Sequence, residues 1–157
     1  MKTKFVIAAL SVVLLGVAST ADAAKDWRFK NTGAFTANGS ITVTAAAVSL
    51  PCTTVLTGTT SDGPKISGAT FSGLSCLALT AGGLPWKINA NAQHGFTIKD
   101  VTVQALVLGV CGPGKIQSQL NTDGVMLISG AGLPGLVPCS VSGSLTTKPK
   151  LTIVAKR

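Results

Sequence analysis

ISGATFSGLSC, residues 66 to 76, returns as ISGAGLPGLVPC, residues 128 to 139, and each copy ends on a cysteine. Working outward from this pair, the correspondence lengthens in both directions. Trp27-Arg28-Phe29 answers to Trp86-Lys87-Ile88, Phe35-Thr36 to Phe96-Thr97, and Ile41-Thr42-Val43 to Val101-Thr102-Val103. Cys52 answers to Cys111, Asp62-Gly63 to Asp123-Gly124, and Cys76 to Cys139. Landmarks kept in one order at offsets of about 60 residues point to a duplicated supersecondary unit. The expected division is repeat 1 over about 27–85, repeat 2 over about 86–148, and a closing strand over about 149–157. Two copies are too few for a solenoid, so the halves are expected to complete one core together.

The composition of each unit favours strands. Ser40 to Thr44, Trp86 to Ala90 and Val101 to Val107 are rich in valine, isoleucine and threonine, with apolar residues alternating with small or polar ones. Asp62-Gly63 and Asp123-Gly124 fit tight hairpin turns, because glycine accepts positive φ without a steric penalty and aspartate tolerates it. Gly82-Gly83, Pro113-Gly114 and Pro134-Gly135 punctuate the remainder, and no helical period is sustained after the N-terminal segment. The expected fold is therefore all-β, an antiparallel β-sandwich or barrel of about eight to ten short strands. Aromatic residues are only 4% of the chain, so the core is expected to be aliphatic, with Trp27 and Trp86 as core or rim anchors. Leu151, Ile153 and Ala155 are expected to alternate onto a buried face of the closing strand.

The N-terminus reads as a leader. Lys2 and Lys4 precede an apolar run from Phe5 to Ala18, followed by the small-residue site Ala21-Asp22-Ala23, the layout of a secretory signal peptide over residues 1–23. The run is shorter than the roughly 20 residues a bilayer span requires. The expectation is a secreted protein, extracellular or at the cell surface with the periplasm as the other destination, whose residues 24–157 form a single all-β domain with no transmembrane segment. Four cysteines in an exported chain are read first as disulfides, and Cys52, Cys76, Cys111 and Cys139 allow three pairings. Self-contained units would join Cys52 to Cys76 and Cys111 to Cys139; the main rival joins Cys52 to Cys111 and Cys76 to Cys139. None of the spacings suits a zinc knuckle.

The chain carries 13 basic and 5 acidic residues, a formal charge of +8, with no tyrosine. Such a protein is drawn to anionic surfaces: lipopolysaccharide, acidic polysaccharide or released DNA. The candidate contacts are Lys25, Arg28 and Lys30 near the start and Lys148, Lys150, Lys156 and Arg157 near the end. Neither interleaved aromatics nor a nucleic-acid motif accompanies them, so no specific nucleic-acid partner is expected. Catalytic signals are missing too. Asp62 and Asp123 are explained by their turns, His94 sits alone in a polar stretch, and no G-x-S-x-G, H-E-x-x-H or phosphate-binding glycine loop occurs. The reading is a non-enzyme without cofactor or metal.

Several segments resemble a known family. The signal peptide, Phe35-Thr36-Ala37, Leu50-Pro51-Cys52-Thr53-Thr54, Ile66 through Gly73, Cys76, Leu84-Pro85-Trp86-Lys87 and Cys139 through Thr146 resemble the small secreted alkane oxidation activators of Gram-negative bacteria. The resemblance spans most of the chain after residue 23, with Lys25 to Lys30 outside it. It implies an extracellular accessory protein that helps cells use water-insoluble hydrocarbon, and it brings no catalytic residues. Two functions follow as expectations. One is a surface-active or adhesive protein of the cell surface or biofilm matrix. The other is a subunit of a fimbria-like or fibrillar assembly, a homo-oligomer completed through strand edges.

Overall fold

The computed structural model describes residues 26–157; the expected signal peptide over 1–23, its expected cleavage site and Lys25 lie outside the described residues. Within them the β-branched alternation builds eleven strands: β1 (Trp27–Phe29), β2 (Ala34–Ala45), β3 (Val48–Thr59), β4 (Lys65–Ser72), β5 (Leu79–Gly82), β6 (Trp86–Ala90), β7 (Gly95–Ala105), β8 (Gly109–Leu120), β9 (Val125–Leu133), β10 (Cys139–Lys148) and β11 (Ile153–Ala155). A short 3-10 turn, Leu74–Cys76, follows β4. The strands are longer than the sequence suggested, three of them running to 12 residues. The reason lies in polar insertions such as Asn38-Gly39-Ser40 in β2, which interrupt the apolar pattern but not the ladder.

Of the two expected architectures, the structure is the barrel. Antiparallel neighbours run β6-β4-β3-β2-β10-β9-β8, and β7 pairs with both β6 and β8, closing an eight-stave ring. Strands β5 and β6 share one stave, because both run antiparallel to β7, against its last and first residues respectively. Counterparts from the two copies stand opposite each other across the ring: β2 faces β7, β3 faces β8 and β4 faces β9, each four staves apart. Closure satisfies strand edges that an open sheet would leave exposed.

The interior is filled by alternate side chains from every stave, among them Phe35, Val43, Leu56, Ile66, Trp86, Phe96, Ile116, Met126 and Leu145. Trp86 donates its indole N–H to the Gly82 carbonyl at 2.8 Å, so its polar atom is satisfied as the ring is buried. Gly58 is required by close packing: a Cβ there would sit 2.3 Å from the Lys65 carbonyl oxygen and 2.9 Å from the Phe35 ring.

The duplicated Ile-Ser-Gly-Ala now has a structural meaning. In both copies it inserts one extra residue into its strand. Opposite β3 the register steps from Gly58↔Ile66 to Thr57↔Gly68, leaving Ser67 over; opposite β10 it steps from Gly143↔Ile128 to Val141↔Ala131. These are β-bulges, which bend a strand and raise its twist where a barrel must curve. Gly130, at φ +59°, supplies the left-handed residue of the second bulge.

One end of the barrel is closed by the first and last described strands. β11 pairs antiparallel with β1, Phe29 opposite Ile153 and Trp27 opposite Ala155. Leu151 and Ile153 are buried, while Ala155 is half-buried, and Phe29 meets Phe96 edge to face at 6.0 Å between centroids. The buried Thr147 hydroxyl donates to the Gly124 carbonyl and accepts from the Leu151 N–H, tying the end of β10 to the turn before β9.

Candidate functional site: two unlike ends of one barrel

Antiparallel staves place alternate connections at the same end. The connections β2–β3, β4–β5, β7–β8 and β9–β10 therefore meet at one end, here called the tip, and β3–β4, β6–β7 and β8–β9 meet at the other, the base, with both ends of the described chain. This sorting separates the residues by chemistry. No charged residue occurs in 46–51, 72–83, 104–114 or 131–141, the four segments that form the tip.

The tip exposes large apolar side chains. Leu74 is 95% exposed, Leu106 is 90% exposed and Leu136 is fully exposed, with Leu77, Val107 and Val110 also in solvent. Single exposed leucines are ordinary, but a cluster at one charge-free end is not. Between β5 and the β7–β8 hairpin the tip opens a shallow groove of about 560 Å³, lined by Ala78, Leu106 and Val110 among others.

Both disulfides lie just beneath this surface. Cys52 in β3 is bonded to Cys76 in the 3-10 turn, and Cys111 in β8 to Cys139 at the start of β10, with Cα separations of 5.8 Å in each. These are the within-unit pairs, and all four cysteines are buried. They hold the β4–β5 and β9–β10 connections, and the latter meets β8 through the Cys111↔Gly135 bridge and the Gly112 N–H bonded to the Pro134 carbonyl.

The base carries the charge. Arg28, Lys30, Lys148, Lys150, Lys156 and Arg157 are all exposed there, so residues far apart in sequence share one end; of the candidate contacts only Lys25 falls outside the described residues. Asp62 and Asp123 occupy base turns, with Asp62 at φ +46° and the Asn121 side chain accepting the Asp123 and Val125 N–H groups. His94 is exposed in the β6–β7 connection. Among the described residues no three His, Cys, Asp or Glu side chains cluster as metal ligands would.

The barrel lumen holds an apolar cavity of about 30 Å³, lined by residues such as Ile41, Phe71, Trp86, Val103 and Leu145. That is room for about one water-sized group. No helix among the described residues is long and apolar enough to cross a membrane.

The exposed leucines of the tip were not read from sequence. The available signal was the alternation of connections, polar and Asp-Gly-bearing at one end, leucine-bearing and uncharged at the other.

The chain matches the family of alkane oxidation protein activators described as PraA/PraB-like over residues 1–155. The chain belongs to this family. The match takes in Lys25 to Lys30, which the sequence resemblance had left outside. No curated protein and no solved structure matches the chain.

Proposed function

We propose that the protein is a secreted, non-enzymatic accessory that acts at the cell surface or in the matrix, promoting hydrocarbon use or adhesion through surface activity. The observation that carries this reading is the tip: exposed Leu74, Leu77, Leu106 and Leu136 on an end without a single charge. Transferring four leucines from water to an apolar phase favours adsorption by about 6 kcal/mol or more before ordering costs, at about 1.5–3 per side chain. A charge among them would oppose entry strongly, because an unpaired ion is costly to desolvate. The opposite, cationic end keeps the molecule oriented with its base in water.

Magnitudes favour the tip over the lumen as the hydrocarbon contact. A cavity of about 30 Å³ cannot hold a long alkane without dismantling the core. Ring closure also favours this reading over a fibrillar subunit. It leaves no full-length strand edge for exchange, the unladdered stretches being the tip halves of β4 toward β5 and of β9 toward β8.

The test is adsorption at a hexadecane–water boundary, read by drop tensiometry and by emulsion lifetime. The purified protein is expected to lower the tension and stabilise droplets as a monomer, and L74D/L77D/L106D/L136D to do neither while melting at the same temperature. A tetrasubstituted protein that adsorbs as the parent does would sink the reading, and ordered filaments by electron microscopy would favour the assembly.

A further inference from the structure

The base holds a cleft that the tip does not explain. Beside the β1–β11 ribbon, where it lies against β6, a recess of about 340 Å³ is lined by Trp27, Arg28, Lys30, Thr60, Asn89 and Lys156 among others. That volume is within the range of small-molecule sites. Half of those six side chains are cationic, and no acidic residue among the described ones lines the recess. Trp27 is half-buried, leaving part of an indole face at the cleft, and Asn89 and Thr32 offer exposed amide and hydroxyl groups.

We infer that this cleft binds an acidic polysaccharide, seating one carboxylate-bearing sugar with its charge among Arg28, Lys30 and Lys156 and its ring against Trp27. The guanidinium of Arg28 matches a carboxylate bidentately, and the two ammonium groups act as point charges beside it. Lys148 and Lys150 are exposed on the same end and offer the neighbouring sugars of a polymer a second contact, so a chain binds more tightly than its monomer.

Other anionic partners fit less well. Single-stranded nucleic acid needs a succession of aromatic platforms, and the cleft has one. The strands of the ribbon are three residues each, too short to follow a duplex groove as a reading element. A lipid surface would call for exposed large apolar residues at this end, and those of the tip are at the other. The inference stands independently of the tip: the binding requires no hydrocarbon. If both hold, the molecule bridges an apolar phase and an anionic cell coat.

The experiment titrates the purified protein with polygalacturonate, dextran, duplex DNA and vesicles of anionic phospholipid at 150 mM salt. Saturable binding to polygalacturonate alone, with a change in tryptophan emission that W27F abolishes, is expected; Trp86 is buried and serves as the silent reference. R28E/K156E should weaken that binding at least tenfold, and K99E/K115E, an equal charge change on the barrel wall, less than twofold, with melting temperatures confirming that both are folded. K30E alone should weaken it severalfold and serves if the double variant does not fold. Equal losses in the base and wall variants would overturn the proposal in favour of general charge attraction. So would DNA or vesicles binding as tightly as the polysaccharide, or polygalacturonate binding that leaves Trp27 emission unchanged.

Discussion

Tip and base are closed by opposite means. At the base, burial suffices: Phe29, Leu151 and Ile153 plug the mouth, and no cysteine is present there. At the tip, leucines remain in water and contribute no burial, yet both disulfides lie there. A surface kept apolar for contact cannot also be stabilised by hiding those residues. Covalent bonds do that work instead, each about 3 kcal/mol for loops of 24 and 28 residues in the chain-entropy account. The lesson is that the position of the disulfides marks the end where burial was given up.

The comparison can be broken most severely at the base. Deleting Pro149 to Arg157 removes Leu151 and Ile153, worth about 3–6 kcal/mol together, uncovers Phe29 and leaves β1 without its partner. Domain stabilities are about 5–15 kcal/mol, so the truncated protein should lose its cooperative melting transition or melt at least about 10 °C lower. An unchanged melting temperature by calorimetry would make the ribbon a mere tail and the base unplugged.

At the tip, replacing one disulfide pair with alanines, C52A/C76A or C111A/C139A, should cost about 3 kcal/mol in denaturant unfolding. The distribution matters more than the total. Hydrogen exchange should accelerate in residues 72–83 for the first variant and 131–141 for the second, while base amides such as Leu120 and Leu151 keep their protection. Uniform acceleration over the barrel would mean the disulfides stabilise the whole and not the tip.

A smaller effect is expected at Thr147, which joins the base turn to the closing ribbon by two hydrogen bonds of 2.7 and 3.0 Å. Thr147→Val keeps the shape but leaves the buried Leu151 N–H without its partner, while the Gly124 carbonyl still accepts from the Thr147 backbone N–H at 3.0 Å. The cost should be about 1–3 kcal/mol by thermal melting. A value near zero would show that water replaces the hydroxyl and that packing alone seals the base.

Much of this architecture is legible in the amino-acid sequence because it depends on local pattern. The Ile-Ser-Gly-Ala pair, the two Asp-Gly turns and the alternation of Leu151 with Ile153 all describe neighbours along the chain. What separates barrel from sandwich is the pairing of β7 with both β6 and β8 and of β10 with β2, and the β10–β2 contacts join residues such as Thr36 and Lys148 from opposite ends of the chain. The bulge after Ile66 and Ile128 is invisible for a related reason: an extra residue exists only relative to the strand beside it. The exposure of Leu74, Leu106 and Leu136 depends on which connections share an end, and apolar residue type alone points inward.

The smallest effect on stability is expected where the effect on function is largest, and a matched pair isolates it. Leu106 at the tip and Leu127 on the wall of β9 are both exposed, Leu127 to 40%. Leu→Ser at either should change stability by no more than about 0.5 kcal/mol, since exposed substitutions away from special features rarely do more. If adsorption depends on overall hydrophobicity, the two variants should weaken it alike. If it depends on a contiguous, uncharged tip, L106S should slow adsorption to hexadecane measurably while L127S tracks the parent, because only Leu106 has Val107, Val110 and Leu77 in the same uncharged end to enter the apolar phase with it. Equal slowing by both would dissolve the distinction between tip and wall, and with it the functional side of the comparison.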